Sequence, residues 1–189
     1  MCRILLVIFM LEKNKKSIKL TIINSILIFG LAFITHNLYE WLPSFATVIF
    51  PVNESLYEHA KMIFITPIIY APFLYLYMHL KKERFNNYCL CLFITVLANL
   101  VIFYAIYLPI YYLIGEKMVV TLIIYFITIL ISQFINVKLL YNTKKNTLLN
   151  VLGIISLLIM FIVSLYLTYN PIKISFFFDP LNKVYGIYK

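Results

Sequence analysis

The sequence predicts an all-α, polytopic transmembrane helical bundle of about five spans, and three observations predict it. The 189 residues are 63% hydrophobic and 12% charged, against about half and about a quarter in a soluble domain, and mean hydropathy is +0.95. The apolar residues fall into five runs of about 20 or more, the length that crosses a bilayer as a helix. The Lys and Arg residues behind the net charge of +9 sit in short stretches between those runs, as membrane proteins place them. The same composition excludes a soluble globular domain, a disordered tail, a collagen-like chain and a nucleic-acid binder. The five runs nearly exhaust residues 1–189. A single integral membrane domain with the lipid bilayer as its partner is expected, and no separate soluble catalytic domain.

Residues 1–10, MCRILLVIFM, are apolar but too short to span. No small-residue cleavage site follows, so no signal peptide is assigned, and Met10 offers an alternative start. The spans are expected at 20–42, 59–80, 88–114, 118–137 and 148–169, the second opening at Ser55 or His59. Pro171 stops the fifth, because proline cannot continue the hydrogen-bond ladder. A bilayer core offers no water to the backbone, so all five are expected as helices despite the many strand-favouring Ile, Phe and Tyr residues. Of the three cysteines, Cys2, Cys89 and Cys91, the last two lie in an apolar run and read as packing residues.

Orientation follows from Lys and Arg in short loops. Arg3, Lys13, Lys15, Lys16 and Lys19 precede the first span. Lys81, Lys82 and Arg84 follow the second, and Lys138, Lys144 and Lys145 follow the fourth. These segments alternate, so all three can face the cytoplasm, which places the N-terminus in and the C-terminus out. The composition, biased to Ile, Lys, Asn, Tyr and Phe, resembles an AT-rich bacterial genome, and the cytoplasmic membrane is the expected location. Five of the seven acids, Glu40, Glu54, Glu58, Glu116 and Asp179, then fall on the outer side.

That clustering draws attention to H36-N-L-Y-E-W41 and P51-V-N-E-S-L-Y-E-H-A-K61. His36 and Glu40 are four apart and share a helix face near the end of the first span. Glu54 and Glu58, like Ser55 and His59, are four apart where the second span opens. The two spans are antiparallel, so both histidines reach a similar depth, about one turn or 6 Å inward of Glu40 and Ser55. Helix capping accounts for Asn53 and Ser55, with Ser55-x-x-Glu58 as a capping box, and Glu58 can pair with Lys61. Capping does not account for His36, Glu40 or His59, and ionisable residues within a span are functional by default.

Imidazole and carboxylate ligands suit a divalent metal, zinc, manganese or iron. Proton or cation relay and a polar packing network also fit these residues. There is no HExxH, GxGxxG or GxxxxGK[ST]. Asn99, Ser132, Gln133 and Asn136 are further polar residues within spans, read chiefly as interhelical hydrogen-bonding groups. The aromatic-rich tail F176-F-F-D-P180 carries a turn signal at Asp179-Pro180. It either lies along the headgroups or folds back and brings Asp179 to the cluster.

G30-L-A-F-I-T-H36-N-L-Y-E-W41, the 51–61 block, I131-S-Q133, D179-P180 and Y185-G-I187 resemble the bacterial integral membrane family designated domain of unknown function 6512, over most of the chain. The N-E-S-x-x-E-H-x-K block is the most specific part. The resemblance implies a polytopic helical membrane protein. It also implies that His36, Tyr39, Glu40, Asn53, Glu54, Ser55, Glu58, His59, Lys61 and Asp179 belong to a recurring motif; it supplies no activity. A weaker analogy runs to ceramidase-type intramembrane hydrolases, from which the chain departs in having two outer-side histidines and different spacings.

The leading expectation is therefore a membrane protein with an outer-side His/Glu site, acting as a metal-dependent hydrolase of a lipid or membrane-embedded substrate if it is an enzyme. His36, Glu40, His59 and Asp179 are the expected ligands. Glu54 or Glu58 is the expected base, Lys61 or Asn53 the oxyanion partner, and Ser55 a weaker nucleophile. The alternatives are a small transporter or channel relaying protons or cations through the carboxylate/His cluster, and a non-catalytic scaffold, including a homo-oligomer.

Overall fold

A computed structural model describes residues 2–42 and 49–187. The side chains of residues 1–14, Cys2, Arg3, Glu12 and Lys13 among them, and that of Glu40 lie outside the described residues. Among the described residues five α-helices follow one another: α1 Cys2–Trp41, α2 Leu56–Leu80, α3 Tyr88–Ile114, α4 Met118–Asn142 and α5 Thr147–Tyr169. Each holds a segment long and apolar enough to cross a membrane: Lys15–Tyr39, Leu56–Leu80, Tyr88–Ile114, Met118–Asn142 and Thr147–Tyr169.

The expected spans are present as helices, and the differences lie at their ends. α1 begins well before residue 20, because the Leu- and Lys-rich stretch ahead of the span is made of good helix formers. α4 continues past 137 to Asn142. Leu140 is buried with Cys91 and Val137, and the Lys138 ammonium lies 4.4 Å from the centre of the Phe134 ring. A charge at 138 is accommodated along the helix surface and does not end it.

α2 starts where the capping signal places it. Ser55 is extended, with φ −72 and ψ 154, and its hydroxyl accepts from the Glu58 amide at 3.3 Å. Only half of the capping box forms. The Ser55 amide donates instead to Asn53 Oδ1 at 2.8 Å, and the Glu58 carboxylate turns into the bundle. Pro67 and Pro72 lie inside α2; Pro67 has no N–H to offer the carbonyl four residues back.

α1 to α4 surround a core that includes Ile28, Ala32, Ile63, Phe103, Tyr125 and Ile129. The interior also carries buried polar groups. The Thr35 and Thr66 hydroxyls are 2.8 Å apart, and the Tyr70 hydroxyl donates to Asn24 Oδ1 at 2.8 Å. Asn136 donates to Gln133 within α4 at 3.3 Å rather than across to another helix. Among the described residues, Asn99 Oδ1 and Asn24 Nδ2 are buried without a hydrogen-bond partner.

α5 packs outside this core, against α3. At Gly153 a Cβ would stand 2.5 Å from Leu90 Cα, so only glycine permits the approach, and Asn150 Oδ1 accepts from the Cys89 amide beside it at 2.8 Å. The rest of α5 exposes Leu152, Ile155, Leu158, Ile159 and Ile162, a continuous apolar face of a kind that soluble monomers avoid.

The helices alternate in direction. The α1–α2 link, the α3–α4 link and the C-terminal tail therefore share one end of the bundle. Lys15, Lys16, Lys19, Lys81, Lys82, Arg84, Lys138, Lys144 and Lys145 belong to the other, while Lys61, Lys117, Lys173 and Lys183 belong to the first. At the basic end Lys16 pairs with Glu83 and Asn86 and Asn87 donate to the carbonyls of Thr143 and Lys144 at 2.9 and 2.8 Å.

The tail folds back on the first of these ends. A 3-10 turn, Ser175–Phe177, leads into a two-stranded hairpin, β1 Phe178–Asp179 and β2 Val184–Tyr185, with Phe178 opposite Tyr185. Asp179 Oδ1 accepts from the Leu181 and Asn182 amides at 2.8 and 3.3 Å, making the turn that Asp179-Pro180 signals. Phe177 stacks on Tyr57, with ring centres 4.5 Å apart.

Candidate metal centre

His36 comes from the last turns of α1, His59 from the first turn of α2, and Glu54 from the residue just ahead of the Ser55 cap. Glu54 Oε2 lies 3.6 Å from His36 Nε2 and 3.5 Å from His59 Nε2, and the two imidazole centres are 5.5 Å apart. One ligand atom from each residue lies within 4.8 Å of the other two, a group that can hold a metal ion. The Glu54–His separations are longer than an ordinary direct hydrogen bond. They match the roughly 3.4 Å between ligand atoms around a tetrahedral ion with bonds of about 2.1 Å.

The local fold sets the chemistry of His59. Its Nδ1 lies 3.0 Å from the Ser55 carbonyl oxygen. A carbonyl only accepts, so Nδ1 carries the proton, and Nε2 of the neutral ring presents its lone pair to Glu54. Two acceptors facing each other at this distance are stable with a cation between them, a proton or a metal. A backbone carbonyl fixing the far nitrogen of a histidine is the usual outer support of a metal-binding imidazole. Contact with the His36 ring is the main influence on the Glu54 carboxyl. It outweighs burial and holds Glu54 below its ordinary 4.5.

The structure divides the sequence-derived candidates into two groups. Glu54, expected as a base, stands with His36 and His59. Glu58 and Lys61, expected as base and oxyanion partner, face a different way. Their side chains are 1% exposed and pair at 3.1 Å. Lys61 donates to Thr168 Oγ1 at 3.0 Å, the Thr168 hydroxyl reaches Glu58 Oε1 at 3.2 Å, and the Val52 amide donates to Glu58 Oε2 at 3.2 Å. This network ties α2 to α5.

Ser55 caps α2 and orients His59. Asn53 Nδ2 donates to the Gly186 carbonyl at 2.6 Å. Asp179, expected as a ligand, is buried in its hairpin. Its Oδ2 accepts from Asn182 Nδ2 at 2.9 Å and from the Glu54 amide at 3.4 Å. Burial pushes its carboxyl up, but the hydrogen bonds from Asn182, Leu181 and Glu54 win and hold it below 3.8. The tail thus reaches the cluster through the Glu54 backbone, and the Asp179 carboxylate is outside the His–Glu–His group. The Glu40 side chain lies outside the described residues.

The group sits at the polar end of a cavity of about 420 Å³, within the range of small-molecule sites. Asn37 and Glu116 share that polar end. The walls are apolar: Phe29 and Phe33 from α1, Met62 and Ile63 from α2, Phe103 from α3, Leu122 and Tyr125 from α4. Sequence reasoning did not single out Asn37 or these walls. The signal for part of it was present, since Phe29, Phe33, His36 and Asn37 recur at helical spacing on one face of α1.

Fold and site together define a class: a bundle of membrane-crossing length in all five helices, with a polar centre at one end. Within that class the chain belongs to the Family of unknown function (DUF6512), whose profile matches residues 9–187, in line with the resemblance read from its motifs. No curated protein and no solved structure matches it.

Proposed function

We propose that this is a multi-pass protein of a bacterial cytoplasmic membrane, N-terminus in and C-terminus out. In this reading His36, Glu54 and His59 bind one divalent metal at its outer surface, zinc, manganese or iron, for hydrolytic chemistry. The observation that carries the reading is the convergence of the three ligand atoms within 4.8 Å at the polar end of an apolar cavity. Three protein ligands leave a position open for water, the pattern of catalytic zinc sites, and a metal there lowers the pKa of its water toward neutrality. Orientation rests on the excess of Lys and Arg in the loops of the opposite end over those of the site's end.

The test is metal content of the detergent-purified protein. Stoichiometric metal in wild type, lost in Glu54→Gln and in His36→Ala/His59→Ala, is the expected result. Folded wild type that takes up no zinc, manganese or iron on reconstitution overturns the reading.

A relay of protons or cations is a second reading. The buried polar residues between the site and the basic end, Asn24, Asn99, Thr128, Ser132 and Gln133, favour it. Proton flux in proteoliposomes that falls in Glu54→Gln supports it; no flux above empty liposomes excludes it.

A further inference from the structure

The cavity beside the His–Glu–His group has a shape that the metal reading does not use. Its floor is a cluster of rings: Phe29 lies 6.1 Å from Tyr125 and 5.2 Å from Phe126, centre to centre. There α1 and α4 are in contact. Seven residues toward the site, about 10 Å along α1, His36 faces the cavity. Beyond the Phe29 level both helices line the cavity, α1 with Phe33, His36 and Asn37 and α4 with Met118, Thr121 and Leu122, together with Met62 and Ile63 of α2 and Phe103 of α3. Two residues lining the cavity are also strongly exposed, Phe33 at 46% on α1 and Met118 at 71% on α4. The cavity thus reaches the outer surface of the bundle between α1 and α4. That surface is apolar on both sides, with Ile34 exposed on α1 and Val119 and Ile123 on α4.

We infer that the α1–α4 opening is a lateral portal through which a membrane lipid places one acyl-type chain against Phe29, Phe33 and Leu122 and its polar head at His36, Glu54 and His59. The inference rests on the membrane reading above and names the substrate class of the same site. The occupant follows from the lining. Carboxylate and imidazole groups at one end need a polar or cation-coordinating partner, and the walls below offer no polar partner except Thr121 at the rim and the tyrosine edge at the floor. A wholly polar solute leaves those walls unmatched, and a plain hydrocarbon leaves the polar end unmatched. An amphiphile joined at a hydrolysable polar linkage matches both. The depth accommodates only the head-proximal part of a long chain, and the rest passes out between α1 and α4 into the bilayer.

The experiment is photolabelling of the full-length protein in liposomes with a lysophosphatidylcholine carrying a diazirine near the head end of its chain, with adducts mapped by mass spectrometry. Labelling concentrated on residues 29–37 and 118–125 is expected. At least a tenfold loss of it is expected in Leu122→Trp, which fills the cavity, and in Thr121→Phe, which narrows the rim if the first variant does not fold. Leu158→Trp, on the exposed face of α5, leaves it unchanged. Labelling spread evenly over α5 and the other exposed faces, or unchanged in the folded filling variants, overturns the inference. A dimeric mass that the filling variants abolish, without localised labelling, assigns the opening to a second copy instead.

Metal content on the same samples separates the two readings. Metal with uniform labelling keeps the centre and rejects the portal. Localised labelling without metal keeps the portal and rejects the centre.

Discussion

Lys61→Met should destabilise this protein far more than the double variant Glu58→Leu/Lys61→Met. The pair is buried, at 3.1 Å with both side chains 1% exposed. Removing Lys61 leaves a buried carboxylate with two neutral donors, the Val52 amide and the Thr168 hydroxyl. Breaking a buried pair from one side costs about 3–5 kcal/mol, whereas replacing both partners with apolar groups of similar size is often neutral. At roughly 2–4 °C per kcal/mol for a chain of this length, the single variant should melt about 6–20 °C below wild type and the double variant close to it. Thermal unfolding in detergent, followed by circular dichroism over the four-member cycle, measures the coupling. Equal losses in the single and double variants refute the reasoning, because the pair would then be held by its packing and not by its charges. Metal content of the folded variants should be unchanged, since neither residue belongs to the His–Glu–His group.

Other outcomes follow from separate parts of the structure. Gly153→Ala should detach α5 from α3 at a cost of about 1–3 kcal/mol or more, because its Cβ meets Leu90 backbone; Gly30→Ala, with nothing within 4 Å, should be neutral or stabilising by up to about 1 kcal/mol. Melting curves of the two variants check the contrast. The Asp179 carboxyl is held below 3.8, so its contribution to tail docking is complete above that pH and is lost as pH falls through its lower, folded value. Amide exchange at Leu181 and Asn182 should therefore stay protected from pH 7 to about 5 and rise in acid, and Asp179→Ala, which removes the acceptor, should expose both amides at every pH. Asn99→Leu should raise stability by about 1–3 kcal/mol, since it removes a buried oxygen without a partner. A loss instead would show that Asn99 bonds an internal water, as the relay reading requires.

The five helices were legible because hydropathy and length decide helix formation where the surroundings offer the backbone no water. The depth match of His36 and His59 was legible from antiparallel spans and helical spacing, and the fold-back of the tail was one of two readings its aromatics allowed. The roles of Glu54 and Glu58 were not. Four residues apart, they read as one helix face, but Ser55 is the cap, so Glu54 precedes the helix and swings toward His36 while Glu58 enters the bundle toward Thr168. That choice depends on a residue 110 positions away from Glu58, and no local pattern encodes it. The cavity was hidden for the same reason, since its lining comes from four different helices.

The docking of the tail bears on the order in which the protein comes into being. Residues 171–187 follow all five helices in the chain, yet Asp179 and Gly186 bind the amide of Glu54 and the side chain of Asn53, which precede four of those helices. Gly186 fits there because its φ is +72 and a Cβ would stand 3.0 Å from Pro171 Cγ. During synthesis the two histidines can meet as soon as α1 and α2 have inserted. Their carboxylate neighbour acquires its backbone anchor only after the last stretch of chain has been translated and brought to the same end of the bundle. Completion of the His–Glu–His group is thereby tied to completion of the chain, and a chain stalled in α5 holds Glu54 on an unanchored link.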